Sequence, residues 1–158
     1  MRKPAYPTLG VCYFPEHWPQ DMWADDAARM VANGITHVRI AEFAWSRIEP
    51  DPGRLDWGWL DEAIDTLGEA GLSVVMCTPT ATPPRWMCDK HPDMFAVDAQ
   101  GNPRGFGSRR HYCFSHQGYR AESRRITALM AERYGKNPHV QAWQCAQSHN
   151  HTMDTVYG

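Results

Sequence analysis

Residues 21–45 read DMWADDAARMVANGITHVRIAEFAW, and the change of period inside this stretch decides the fold. Met22, Trp23, Ala27, Met30 and Val31 recur at three- and four-residue spacing, the stripe of an amphipathic helix that buries one face. Asp21, Asp25 and Asp26 crowd its start, where the helix dipole favours negative charge, and Asn33-Gly34 supplies the stop. The pattern then changes. Ile35 to Ala41 reads as a strand, followed at once by the acidic Glu42 and the aromatic segment Phe43-Ala44-Trp45.

The same alternation extends in both directions. Upstream, Leu9 to Phe14 is a short apolar run closed by Pro15, which predicts a buried strand ending in a loop. Downstream, Pro50, Pro52 and Gly53 make a turn, and Trp59, Leu60, Ala63, Ile64 and Leu67 repeat the helical period up to Ala70-Gly71. Leu72 to Cys77 predicts a third strand. Residues 78–117 are rich in Pro, Gly, Asp and Arg and far exceed an ordinary strand-to-helix connection, which predicts a lid or binding loop. Ile126, Leu129, Met130 and Tyr134 mark a third helix, ended by Gly135, and Val140 to Cys145 predicts the fourth strand. Residues 147–152 are polar and without period.

Strands alternating with helices predict an α/β fold with parallel strands, and right-handed crossovers place every strand C-terminus on one face. About four βα units amount to half of an eight-unit barrel, so the alternatives are a small open sheet or a partial (β/α)8 TIM barrel.

Composition narrows the function. The 158 residues carry 16 Lys+Arg against 18 Asp+Glu, a formal charge of −2, so no strong field steers the chain toward nucleic acid or an anionic membrane. At 42% hydrophobic and 22% charged, it reads as an ordinary globular protein. The absence of a long apolar run or a secretory signal in the sequence makes the cytoplasm the default expectation. Cys12, Cys77, Cys88, Cys113 and Cys145 contain no CxxC pair, which predicts reduced thiols.

Chemistry is expected where the loops meet. Glu42 follows strand two and Tyr13-Phe14-Pro15-Glu16-His17-Trp18 follows strand one, so both reach the functional face. Acids among aromatics suit a sugar, because aromatic rings cover the apolar C–H face of a pyranose while carboxylates and Arg bind its hydroxyls. The alternative is that the aromatics are core. Arg109-Arg110-His111-Tyr112-Cys113 ends the long loop with planar guanidinium forks suited to a carboxylate or to sugar hydroxyls, or forms a merely solvated basic loop. Cys145, His149, His151 and Asp154 match no common zinc spacing.

Four separated motifs carry a resemblance. Gly10-Val-Cys-Tyr-Phe-Pro-Glu-His-Trp-Pro19, Val38-Arg-Ile-Ala-Glu-Phe-Ala-Trp-Ser46, Thr78-Pro-Thr-Ala-Thr-Pro-Pro84 and Arg104-Gly-Phe-Gly-Ser-Arg-Arg-His-Tyr-Cys113 resemble the N-terminal half of glycoside hydrolase family 42 β-galactosidases. The resemblance runs from about residue 8 to 144 and implies the opening part of a (β/α)8 barrel that makes a retaining attack on terminal, non-reducing β-D-galactosides. It assigns residues 1–158 to the N-terminal half of that domain, with 146–158 departing from the pattern. It implies that Arg109 contacts the galactose and that Glu42 and Trp45 line the pocket without performing chemistry. It matches Cys113 to a cysteine that joins a zinc cluster in zinc-containing members; no cofactor is required for the reaction.

The match breaks at the chemistry. Retaining glycosidases need two carboxyls about 5 to 5.5 Å apart, one as acid/base and one as nucleophile. The family acid/base Glu closes strand four in Trp-Gln-x-Asp-Asn-Glu-Tyr-Gly, whereas this chain continues Trp143-Gln144 with Cys145-Ala146-Gln147-Ser148-His149-Asn150. Ser148 stands at the acid/base position, and a hydroxyl cannot protonate a leaving oxygen near neutral pH. The family nucleophile lies on a later strand, beyond Gly158. No catalytic residue is therefore assigned, and the chain alone is expected to be inactive. A truncated, frameshifted or engineered gene would produce such a break; so would a small local change, since Asp154-Thr155-Val156 is similar to the family sequence just after the motif. The alternative is a non-catalytic half-barrel that binds galactosides or oligomerises, with a second copy or a complementary barrel half covering its edge strands. A generic α/β domain survives only if the four motifs are accidental.

Overall fold

The computed structural model describes residues 7–107 and 111–145. Its centre is a parallel sheet of β1 (Leu9–Cys12), β2 (Ile35–Ile40), β3 (Ser73–Cys77) and β4 (Val140–Gln144), in the spatial order β1-β2-β3-β4. Sequential order in an all-parallel sheet requires one crossover per pair, and helices α1 (Trp23–Ala32), α3 (Gly58–Glu69) and α5 (Gln117–Tyr134) make them. Two short helices, α2 (Trp45–Ile48) and α4 (Arg85–Lys90), lie in the loops after β2 and β3.

The strand period explains the layering. Val38 and Ile40 on β2, with Val74 and Met76 on β3, are fully buried and join Ala27 of α1 and Leu60, Ile64 and Leu67 of α3 in one core. Arg39, between Val38 and Ile40, takes the opposite face. The outer strands differ from the inner pair: β1 is largely exposed, and β4 is exposed at Gln141 and Ala142. Leu9 on β1, Trp18 and Met22 before α1, and Val31 on α1 are large apolar residues left exposed.

Local differences from the sequence reading have tertiary causes. β1 stops at Cys12 rather than Phe14, although Tyr13 N still donates to Arg39 O at 2.9 Å, because Pro15 opens a 3-10 turn over Pro15–His17. Neither α2 nor α4 was legible, being too short to show a period. The segment after β3 is built rather than open. It contains α4, antiparallel bridges Phe95↔Tyr112 and Val97↔Pro103, and a Tyr112 ring stacked 4.1 Å from Tyr119 on α5. Among the described residues, no helix is long and apolar enough to cross a membrane.

Candidate active-site face

Parallel strands send their C-terminal loops to one side of the sheet, and Arg39 organises that side. Its Nε donates to Cys12 Sγ on β1 at 3.2 Å, its Nη1 donates to Gln144 Oε1 on β4 at 2.9 Å, and its Nη2 pairs with Glu42. One guanidinium thus ties together strands β1, β2 and β4, using the several directed donors that a lysine lacks. Cys77 lies in the same electrostatic environment; burial pushes its thiol up to about 11, with Arg39 acting against that rise.

Backbone geometry aims Glu42 at this site. Ala41, fully buried, holds φ at 70°, the left-handed region that L side chains rarely adopt. That turn takes the chain abruptly out of β2 and leaves the Glu42 side chain 8% exposed against Arg39. Strained non-glycine residues concentrate at functional sites, where the surrounding fold holds them in place. Across the face, Thr78 N donates to Gln144 O at 3.0 Å and its Oγ1 donates to Cys145 O at 3.3 Å, so the ends of β3 and β4 stay paired beyond the strands. Beside this cluster Phe14, His17, Phe43, Thr82 and Phe106 line a cleft of about 480 Å³.

The predicted site residues separate. Glu42 comes two residues after β2 and is buried against Arg39. Trp45 requires a correction: it does not line a pocket but is fully buried in the core, with its indole N–H donating to Glu49 Oε2 at 3.1 Å. As the first residue of α2, it turns inward to complete the packing beneath the face. Arg109 and Ser148 lie outside the described residues. Cys113 is half-buried, with its backbone N–H donating to Met94 O at 2.7 Å. Among the described residues, no three His, Cys, Asp or Glu side chains gather closely enough to hold a metal ion.

Sequence reasoning missed Arg39, whose place in the middle of an apolar run was its one signal: a charge inside a strand needs a partner on the face it takes. It also passed over the state of Glu16. Both Glu16 carboxylate oxygens are buried with no hydrogen-bond partner among the described residues, and burial raises its pKa against the opposing pull of His17 and Arg47.

Comparison with known proteins places this geometry. A family model for glycoside hydrolase 42, described as beta-galactosidase, matches residues 12–158. The chain is 60% identical over 136 residues to a beta-galactosidase of Thermus thermophilus, covering 86% of this chain and 21% of that protein. It is 51% identical to the beta-galactosidase BgaH of Haloferax lucentense, covering 87% of this chain and 21% of the relative. The crystal structure of a beta-galactosidase from the psychrophilic Marinomonas ef1 superposes with a TM-score of 0.88 at 55% identity, over 90% of this chain and 22% of that one. A beta-galactosidase from Halorubrum lacusprofundi gives 0.85 at 50% identity, over 88% and 21%. The chain spans about a fifth of the length of these relatives. A four-stranded parallel sheet in barrel order, a buried acid paired to an arginine at the strand ends, and a family match over most of the chain together place this protein in glycoside hydrolase family 42, the β-galactosidases.

Proposed function

We propose that this chain supplies the first strands and loops of a retaining β-galactosidase barrel, forming one wall of a site for terminal β-D-galactosides. The observation that carries this reading is the Arg39–Glu42–Gln144 network at the C-terminal ends of the strands, where such barrels do their chemistry. Glu42, ion-paired and hydrogen-bonded, is suited to accept a sugar hydroxyl rather than to donate a proton. With Ser148 at the acid/base position, the chain by itself binds galactosides without hydrolysing them. The five free cysteines suit the reducing cytoplasm.

The test pairs turnover with binding. Incubation with p-nitrophenyl β-D-galactoside should release no nitrophenol, while methyl β-D-galactoside should show saturation transfer in ligand-observed NMR that weakens in Arg109→Ala. Turnover by the isolated chain would overturn the non-hydrolytic part of this reading, and a natively folded chain that binds no galactoside would overturn the site.

A second reading is favoured by the exposed strands β1 and β4. A half-barrel leaves both edges open, and a complementary barrel half or a second copy would close them. Light scattering coupled to gel filtration should find self-association; a stable monomer at high concentration would count against closure by a second copy.

A further inference from the structure

We propose that Glu16, His17 and Trp18 form a two-state, proton-operated latch in the loop after β1. With Glu16 neutral its carboxyl is docked inside; on ionisation the segment turns over, putting Glu16 into water and Trp18 into the cavity beside β1 and α1. This goes beyond the galactoside reading and does not depend on it.

The burial of the segment runs against its chemistry. Both carboxyl oxygens of Glu16 are buried with no hydrogen-bond partner among the described residues, whereas the Trp18 ring two residues on is 50% exposed. A loop ordinarily buries the ring and exposes the acid. Trp18 stands at the rim of a cavity of about 520 Å³ lined also by Val11, Met30 and Ile35, which has room for an indole. The second state therefore has a place ready for it. Turning the segment over exchanges a buried acid for a buried ring, so the charge is hydrated and apolar surface is covered in one movement.

The backbone allows that movement between two fixed points. Pro15 O accepts from Trp23 Nε1 at 3.1 Å, and Pro19 O accepts from Met22 N at 3.1 Å. Between them the segment is held by Arg47 Nη1 donating to Glu16 O at 2.9 Å, His17 N to Phe14 O at 2.9 Å and Trp18 N to Pro15 O at 3.2 Å. The Arg47 bond is exposed, so water can replace it.

Charge sets the direction. The charged groups facing the Glu16 carboxyl are His17 on its own turn and Arg47 of α2, and both favour ionisation. Toward this loop α1 brings the Trp23 ring, its Asp26 being engaged by the Tyr13 O–H at 2.8 Å, and α3 brings Trp59, with Arg47 lying 4.4 Å over its ring. Burial outweighs the backbone hydrogen bond, His17 and Arg47, and raises the Glu16 pKa. The docked state thus holds a proton that the turned-over state releases, so docking gains as pH falls and weakens as pH rises through the raised value. The movement also takes His17 off the Phe14 ring, where it stacks at 5.6 Å, and so reshapes the cleft beside the Arg39–Glu42 network.

Hydrogen exchange of the full chain, followed by mass spectrometry from about pH 4 to about pH 8 and corrected for the intrinsic exchange rate, tests the latch. Protection of the peptide spanning residues 13–22 should fall about tenfold as pH rises, one unit of raised pKa being a factor of ten in the docking equilibrium. Glu16→Gln should keep the peptide protected throughout, with circular dichroism checking the fold at each pH. In the parent chain carrying 5-fluorotryptophan, the ¹⁹F resonance of Trp18, assigned through Trp18→Phe, should lose its solvent isotope shift over the same range as the ring becomes buried. Protection independent of pH would overturn the latch. So would a pH dependence that survives in Glu16→Gln, since His17 would then be the titrating group, or a Trp18 ring that stays in solvent at both ends of the range.

Discussion

Arg125, on α5, reaches back to the fully buried carboxylate of Glu49, with its Nη2 at 2.8 and 2.7 Å from the two oxygens. The same carboxylate accepts from Trp45 Nε1 at 3.1 Å and Gly53 N at 2.8 Å, so it ties α5, α2 and the turn after α2 into one node. Removing one partner of such a pair strands the other in a low-dielectric site. Arg125→Met should therefore cost about 3 kcal/mol, toward the low end for buried pairs because the Arg125 side chain is 37% exposed and water replaces part of its role. Urea unfolding followed by circular dichroism measures this; a midpoint unchanged from the parent would show that Glu49 is held by its other donors alone.

Glu16 makes the opposite prediction. Its pKa is raised, foremost by burial, so the folded state disfavours its charge: the penalty is present at neutral pH and relaxes as pH falls through the raised value toward the ordinary carboxylate range. Glu16→Gln should stabilise the fold by about 1 kcal/mol at pH 7, and the advantage should shrink in mildly acidic buffer. Asp61 bears on the choice of measurement. Burial raises its pKa, but Arg133 and Tyr134, whose O–H donates to Asp61 at 2.8 Å, outweigh that and lower it. Its contribution is present above the unfolded carboxylate pKa and lost as pH falls through the lowered folded value. The Glu16 effect must accordingly be read as the difference between variant and parent melting temperatures at each pH. A difference independent of pH would sink the assignment.

Gly68 on α3 has no room for a methyl group. A Cβ there would stand 2.1 Å from His139 Cγ and 2.7 Å from His139 Cβ, at the residue leading into β4. Gly68→Ala should destabilise by about 1–3 kcal/mol through overpacking. Adding His139→Ala should recover much of that loss, and a double-variant cycle in chemical denaturation checks the coupling. Additive losses would place the cause elsewhere.

The thiols should divide by burial. Cys12 and Cys145 are exposed, whereas Cys77 and Cys88 are buried, with the Cys77 thiol pushed up to about 11 and that of Cys88 also raised, each chiefly by burial. Brief iodoacetamide treatment at pH 7.5, read by peptide mass spectrometry, should label Cys12 and Cys145 first and leave Cys77 and Cys88 unmodified until denaturant is added. Early labelling of Cys77 would mean that the functional face opens to solvent.

Much of the architecture was legible because period reports burial directly. The stripe of Trp23 and Ala27 and the run from Ile35 to Ala41 mark core-facing surfaces that any folded arrangement must cover, and helix α1 and strand β2 follow within a residue or two. Glu42 was legible for a related reason, since an acid just past a parallel strand falls on the loop face wherever the sheet sits. Trp45 was misread because one aromatic residue carries no direction; only the packing of α2 shows that it turns inward.

The sequence by itself determined the alternation of strands and helices, the face on which the strands end in loops and the family, since each follows from local period or from motifs that survive in order. Only the tertiary structure decided what Arg39 does, where the Glu49 carboxylate finds its countercharge 76 residues away, and that Phe14, Phe43 and Phe106 share one cleft. The physical reason is range. Periodicity acts over a few residues, whereas a buried charge or a binding cleft is satisfied by groups the chain brings together only when the sheet and its crossovers have closed.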